Sequence, residues 1–275
     1  MHDFFIKNML DQHTIYCAFV LTLIAGLSTG IGSLIALLAK RTNTKFLCAS
    51  LGFSAGVMLY LSFMEMLPHA KDELTHCFGD KTGTVCLLLA FFGGIGLTAL
   101  IDLLVPSINN PHEMQGVEDM RKPEKNSLHR VGILVALSLA IHNFPEGIAT
   151  FTAALNGLSI AIPITIAIAV HNIPEGIAVS VPIYHATGSR RKAFWISFLS
   201  GLTEPAGALI AYLFLMPFWS PVINGIVFAA VSGIMVYISL DELLPTSEKF
   251  GEHHVSISGL IVGMIVMALS LVFFM

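Results

Sequence analysis

Two six-residue stretches carry the side chains most able to do chemistry: HNFPEG, His142 to Gly147, and HNIPEG, His171 to Gly176, both inside long apolar runs. Residues four apart share one face of a helix, so His142 with Glu146, and His171 with Glu175, each aim an imidazole and a carboxylate the same way. Each pair is a two-point grip for a metal ion. Pro145 and Pro174 lack an N–H and crowd the carbonyls of Ile141 and Val170, which predicts kinks that free backbone oxygens. In a bilayer such oxygens are tolerated only where protein or a wet cavity satisfies them. Gly147 and Gly176 predict close approach of a neighbouring helix. A third acid, Glu204, lies within GLTEPAG.

The elements that position these groups follow from hydropathy. The 275 residues are 55% hydrophobic and 12% charged, about half the charge of a soluble domain. Eight spans of roughly 20 apolar residues can be marked off, each long enough to cross a hydrocarbon core of about 30 Å. They run near Ile15–Ala39, Phe46–Leu67, Thr84–Val105, Val131–Leu155, Leu158–Tyr184, Ala193–Met216, Val222–Leu244 and Val255–Met275. The first lacks a cleavage pattern and reads as a retained helix. The expectation is an all-α integral membrane protein, residues 1–275 forming one transmembrane domain with a polar cytoplasmic loop at 107–129. His142 and His171 then sit roughly 16 to 20 Å into their spans, near the midplane.

Lysine and arginine concentrate in cytoplasmic loops. With both termini outside, eleven basic residues, among them Lys40, Arg130 and Arg190, fall in the cytoplasm, against three outside (Lys7, Lys71 and Lys81). The net charge of -4 and the scatter of basic residues around the spans give nucleic-acid binding no support. Cys17, Cys48, Cys77 and Cys86 have no CxxC spacing and read as apolar filler; a Cys77–Cys86 disulfide is left open.

Segments recur. GVMLYLSFMEMLP (Gly56 to Pro68) matches GIMVYISLDELLP (Gly233 to Pro245) at an offset of 177, and GLSTGIGSLIA (Gly26 to Ala36) matches GLTEPAGALIA (Gly201 to Ala211) at 175. Five crossings separate each pair, so the copies must point opposite ways. Spans one to three therefore predict an inverted repeat with spans six to eight, an architecture of secondary transporters with midplane sites. Spans four and five, joined by little more than Asn156 and Gly157, form an antiparallel hairpin. The first-span counterpart of Glu204 is Thr29, so that carboxylate breaks the symmetry.

Three ionised carboxylates at the bilayer centre cost several kcal/mol and repel one another. A bound divalent ion supplies the missing charge, and its binding should release protons. Imidazole and carboxylate, with the amide oxygens of Asn143 and Asn172 and no thiolate, suit Zn(II), Fe(II), Mn(II) or Co(II). Two ions could be bridged by Glu175 and Glu204. Glu65 and Glu242, related by the repeat, are weaker candidates at the outer and inner ends of the path. His69, His253 and His254 are expected in solvated loops, and serines within spans are expected to serve helix packing.

The paired HNxPEG motifs on consecutive spans, a glutamate in the next span, and eight spans with both ends outside resemble the ZIP family of divalent metal transporters. Within it the chain is most similar to the bacterial ZupT-like zinc and iron uptake branch. The resemblance implies a 3+2+3 helix arrangement and a binuclear site. One ion would be held by His142, Glu146, His171, Glu175 and Glu204, the second by Asn143, Asn172, Glu175 and Glu204. It implies uptake of zinc, and of iron, manganese, cobalt or cadmium, across the inner membrane by a multi-pass protein with periplasmic termini. The expectation is a transporter and no enzyme. Its partners are the divalent ions and the bilayer, with a homodimer left open. The loop at 107–129 holds only His112 and His129, so a histidine-rich storage or sensing role is not expected. Rival readings are a proton-coupled metal exporter, a metal-dependent membrane hydrolase and a metal sensor; HExxH is absent.

Overall fold

The computed structural model describes residues 12–38, 44–104, 143–250 and 252–274, which are helical apart from short breaks such as Gly79, Gly157, Gly188 and Trp219, with no strand among them. A lipid-embedded backbone must satisfy its own polar groups, and a helix does so within one segment. In chain order the helices are α1 (Gln12–Leu38), α2 (Thr44–Leu61), α3 (Leu67–Phe78) and α4 (Asp80–Leu104). Residues 143–156 form α5. Then follow α6 (Leu158–Thr187), α7 (Arg190–Gly201), α8 (Thr203–Ile210), α9 (Pro221–Ile238), α10 (Leu244–Phe250) and α11 (His253–Phe274). Several merge into longer rods, and among the described residues seven are long and apolar enough to cross a membrane. Of the expected fourth span only α5 is described. His142 and the loop at 107–129 lie outside the described residues.

Three helices run on into single π turns, at Ser62–Met66, Ala211–Leu215 and Ser239–Leu243; the first and third lead into α3 and α10, the second into a 3-10 turn at Met216–Phe218. Each is closed by an N–H bonded five residues back: Leu67 to the Ser62 oxygen, Met216 to Ala211, and Leu244 to Ser239. A proline follows at once in every case, Pro68, Pro217 and Pro245. The wider turn gives the pyrrolidine ring room that an unbroken α-helix would deny it. Pro68 therefore does not end the second span. The rod continues through α3 to Phe78, eleven residues beyond the boundary hydropathy suggests, because the polar turns of α3 bury Ala70 and Leu74 against the bundle. His69 lies on this helix and not in a loop, a correction to the expectation from sequence. His253 and His254 likewise open α11, where both stay exposed.

The rods pair closely: α1 on α6, α2 on α11, and α4 on α9. The outer faces of α4 and α11 carry exposed Leu89, Phe92, Leu103, Leu269 and Phe273, as a lipid-facing surface should. The core gathers around α5 and α6, with Phe151, Ile164 and Ile168 fully buried. These two helices meet at Gly157, whose φ of 125° only glycine adopts without strain, making the tight hairpin that the sequence implies. All four cysteines are free.

Candidate metal centre

Six of the seven expected site residues are described, and all six lie at the centre of the bundle, none exposing more than 4% of its surface. Asn143 and Glu146 come from the first turns of α5, and His171, Asn172 and Glu175 from the middle of α6. Glu204 comes from the first turn of α8. His142 would complete the α5 grip but lies outside the described residues.

Glu146, His171 and Glu175 each offer one ligand atom within 4.8 Å of the others. An ion bound at about 2.0–2.2 Å holds two ligands about 3.3–4.4 Å apart, so a shift of a few tenths of an ångström would close this group on a metal. The His171 ring is oriented on both sides. Nδ1 lies 3.1 Å from the Ala167 oxygen, which can only accept, so Nδ1 carries the proton and donates. Nε2 lies 3.0 Å from Glu146 Oε1. With its lone pair facing a carboxylate oxygen, that contact is a hydrogen bond that needs a proton between the two atoms, and an ion in its place would part them by about 0.3 Å.

The amides are aimed in the same way. Asn143 Nδ2 donates to the Ser200 oxygen at 3.4 Å, and Asn172 Nδ2 donates to the Ala25 oxygen at 3.1 Å and to Glu204 Oε1. Backbone carbonyls only accept, so each amine must face them, which fixes the orientation of each amide. Among the described residues, Asn143 Oδ1, Asn172 Oδ1 and Glu204 Oε2 are buried without a hydrogen-bond partner. Buried oxygens in that condition are costly unless a cation engages them.

Sequence reasoning passed over two local features. The sixth span is broken at Leu202, because Pro205 cannot bond to the carbonyl of Gly201. Glu204 thereby sits at a helix N-terminus, whose dipole favours an anion. The Ser200 oxygen at the break accepts from Thr203 Oγ1 at 2.6 Å as well as from Asn143. Pro205 in GLTEPAG was the available signal. Second, α6 runs through Pro174 without interruption, and serines of neighbouring helices serve its backbone. Ser54 Oγ donates to the His171 oxygen, and Ser33 and Ser197 donate to the Gly176 oxygen, at 3.3–3.4 Å. The glycines of the motif allow the contacts that bring these donors in. A Cβ on Gly147 would lie 2.0 Å from the Glu204 oxygen, and one on Gly176 2.0 Å from the Thr29 oxygen.

The weaker candidates stand apart. Glu65 and Glu242 lie on π turns, and neither belongs to the group formed by Glu146, His171 and Glu175, the single such cluster among the described residues. His69 packs its ring 5.2 Å from that of Phe228 and faces Glu73.

Known sequences bear on this geometry. The family profile described as ZIP Zinc transporter matches residues 12–127 and 109–271, nearly the whole chain. A protein of Streptococcus mutans named Zinc transporter ZupT is 58% identical over 266 residues, covering 96% of this chain and 100% of that protein. Proteins of the same name from Clostridium perfringens and Corynebacterium glutamicum are 54% and 59% identical over 279 and 261 residues. They cover 96% and 94% of this chain, and the matches span 98% of each relative.

Proposed function

Because this chain belongs to the ZIP family of zinc transporters, we propose that it carries zinc across the membrane into the cytoplasm through the buried centre on α5, α6 and α8. The observation that carries this reading is the Glu146, His171, Glu175 group, with His171 Nε2 held 3.0 Å from a carboxylate oxygen far from solvent. In this reading one ion is ligated by His142, Glu146, His171, Glu175 and Glu204. A second is ligated by Asn143, Asn172, Glu175 and Glu204, using the buried amide oxygens that have no hydrogen-bond partner. The donor set of imidazole, amide and carboxylate also accommodates Fe(II), Mn(II), Co(II) and Cd(II).

The transport cycle uses two inverted halves around the α5–α6 hairpin, a 3+2+3 arrangement in one domain with both termini on the periplasmic side of the inner membrane. Paired contacts at the sequence offsets support it. Asn172 donates to Ala25 and Asn143 to Ser200, partners related by 29 and 175 residues. Gly176 abuts Thr29 as Gly147 abuts Glu204, and Gly32 abuts Ile173 as Gly207 abuts Phe144. The π turns at Ser62–Met66 and Ser239–Leu243 are 177 apart, as are Gly56, against Leu260, and Gly233, against Phe91. Two halves of near-equal structure can exchange packing at similar energy, which exposes one midplane site to each side in turn.

Uptake of zinc into vesicles holding the purified protein tests the reading. Uptake should be abolished in Glu175→Ala and His142→Ala; undiminished uptake in both refutes it. Efflux driven by an inward proton gradient would favour the exporter reading instead.

A further inference from the structure

A second polar cluster lies near the far end of the bundle from the α6–α7 connection, away from the central group. His69 and Glu73, one turn apart on α3, face each other with Nε2 and Oε1 separated by 3.6 Å; their side chains are 25% and 15% exposed. That separation is too long for a hydrogen bond and close to the spacing of two ligands on one tetrahedral ion, about 3.3 Å.

Glu73 is held from behind. Asn224 of α9, itself 1% exposed, donates to Glu73 Oε2 at 2.7 Å. Asn224 is fixed in turn by Asn156, the last residue of α5, through a reciprocal amide pair at 3.1 and 3.2 Å. Asn156 also donates to the Thr152 oxygen at 3.0 Å. One carboxylate oxygen is thus tied down and the other is directed at the imidazole. The Phe228 ring packs against the imidazole, with centroids 5.2 Å apart. Asn224 Nδ2 also lies 3.5 Å from His69 Nε2, a long contact beside its two shorter ones to Glu73 and Asn156 that an ion on Nε2 would displace. Oriented, partly exposed His and carboxylate side chains, with the carboxylate hydrogen-bonded from behind, are the construction of a metal site that keeps solvent ligands.

The inverted halves do not account for this cluster. At the 177-residue offset, His69, Glu73 and Asn224 correspond to Thr246, Phe250 and Leu47. The ligands occur on one side only, the side that the distribution of basic residues makes periplasmic. Asn156 stands ten residues, about 15 Å along α5, from Glu146.

We propose that His69 and Glu73 form a separate divalent-cation site on the periplasmic side, one that takes zinc from solution before it reaches the centre, with Asn224 and Asn156 as positioning residues. The identity of the ion rests on the zinc-transport reading; the existence of the site does not. Two ligands and water bind loosely, as a capture site must if it is to release its ion.

The test is mass-spectrometric footprinting of His69 with diethyl pyrocarbonate on the purified full-length protein, with and without zinc. It is carried out on the wild type, on a Glu175→Ala Glu204→Ala protein with a crippled centre, and on Glu73→Gln. Zinc should slow His69 labelling severalfold in the first two and leave it unchanged in the third. Zinc binding measured by equilibrium dialysis should find one ion per chain on the crippled-centre protein, lost when His69→Ala is added. Equal labelling with and without zinc in the wild type overturns the proposal. So does protection that vanishes in the crippled-centre protein, because the central ion would then be acting at a distance. Neither result touches the central reading, which stands or falls with uptake by Glu175→Ala and His142→Ala.

Discussion

Gly147→Ala is the perturbation that most sharply links helix packing to the metal centre. The new Cβ would lie 2.0 Å from the Glu204 oxygen and 2.6 Å from its carbonyl carbon, where ordinary contacts begin at 3.4 Å. Backbone, not a flexible side-chain end, blocks it, so α5 and α8 must part by about 1.4 Å, the difference between those distances. Overpacking of this kind costs about 1–3 kcal/mol. The displaced residue is itself a proposed ligand, and metal sites tolerate distance errors of about 0.2 Å. Loss of affinity should therefore exceed what destabilisation explains, by about 10–100-fold, the range seen when ligand positioning is lost. Gly94→Ala supplies the comparison: its Cβ would also meet a carbonyl at 2.0 Å, that of Ala230, which is no part of the proposed site. Zinc affinity by equilibrium dialysis and thermal unfolding should be measured on both. Both proteins should lose stability, and only Gly147→Ala should lose affinity in its folded fraction. Equal affinities would refute the claim that this contact sets the position of Glu204.

Two further outcomes follow from particular contacts. Asn172→Asp replaces an amine that serves the Ala25 and Glu204 oxygens with a second carboxylate facing both; zinc uptake should fall at least tenfold, whereas Asn143→Ala, whose Ser200 acceptor keeps Thr203, should fall less. Gly157→Ala forces a side chain into φ 125° at the α5–α6 turn, which should cost about 1–3 kcal/mol and lower the thermal unfolding temperature, with the zinc affinity of the folded protein retained.

How far the site was legible depends on which residue is considered. The HNxPEG spacing alone brought Glu146, His171 and Glu175 to one place, because two i,i+4 faces on an antiparallel hairpin can meet only across the hairpin. The amide orientation of Asn143 and Asn172 was not legible, since it is set by carbonyls of Ser200 and Ala25 on other helices. Hydropathy misplaced the end of the second span, because it reads Pro68 as a stop, whereas a π turn absorbs the ring and the helix goes on. The same blindness put His69 in a loop and missed Glu73 and Asn224 altogether. Pro205 carried the signal for the break beside Glu204, but an apolar window averages over it. His142 fell outside the described residues, so its place in the grip rests on the motif.

The most direct test of the central claim is anomalous scattering from crystals of the protein soaked in Zn(II) and, separately, Cd(II). The proposed centre predicts two peaks: one among Glu146, His171 and Glu175, and a neighbour against Asn143, Asn172 and Glu204. Absence of any peak at His171 Nε2, in crystals that show bound metal elsewhere, would contradict it.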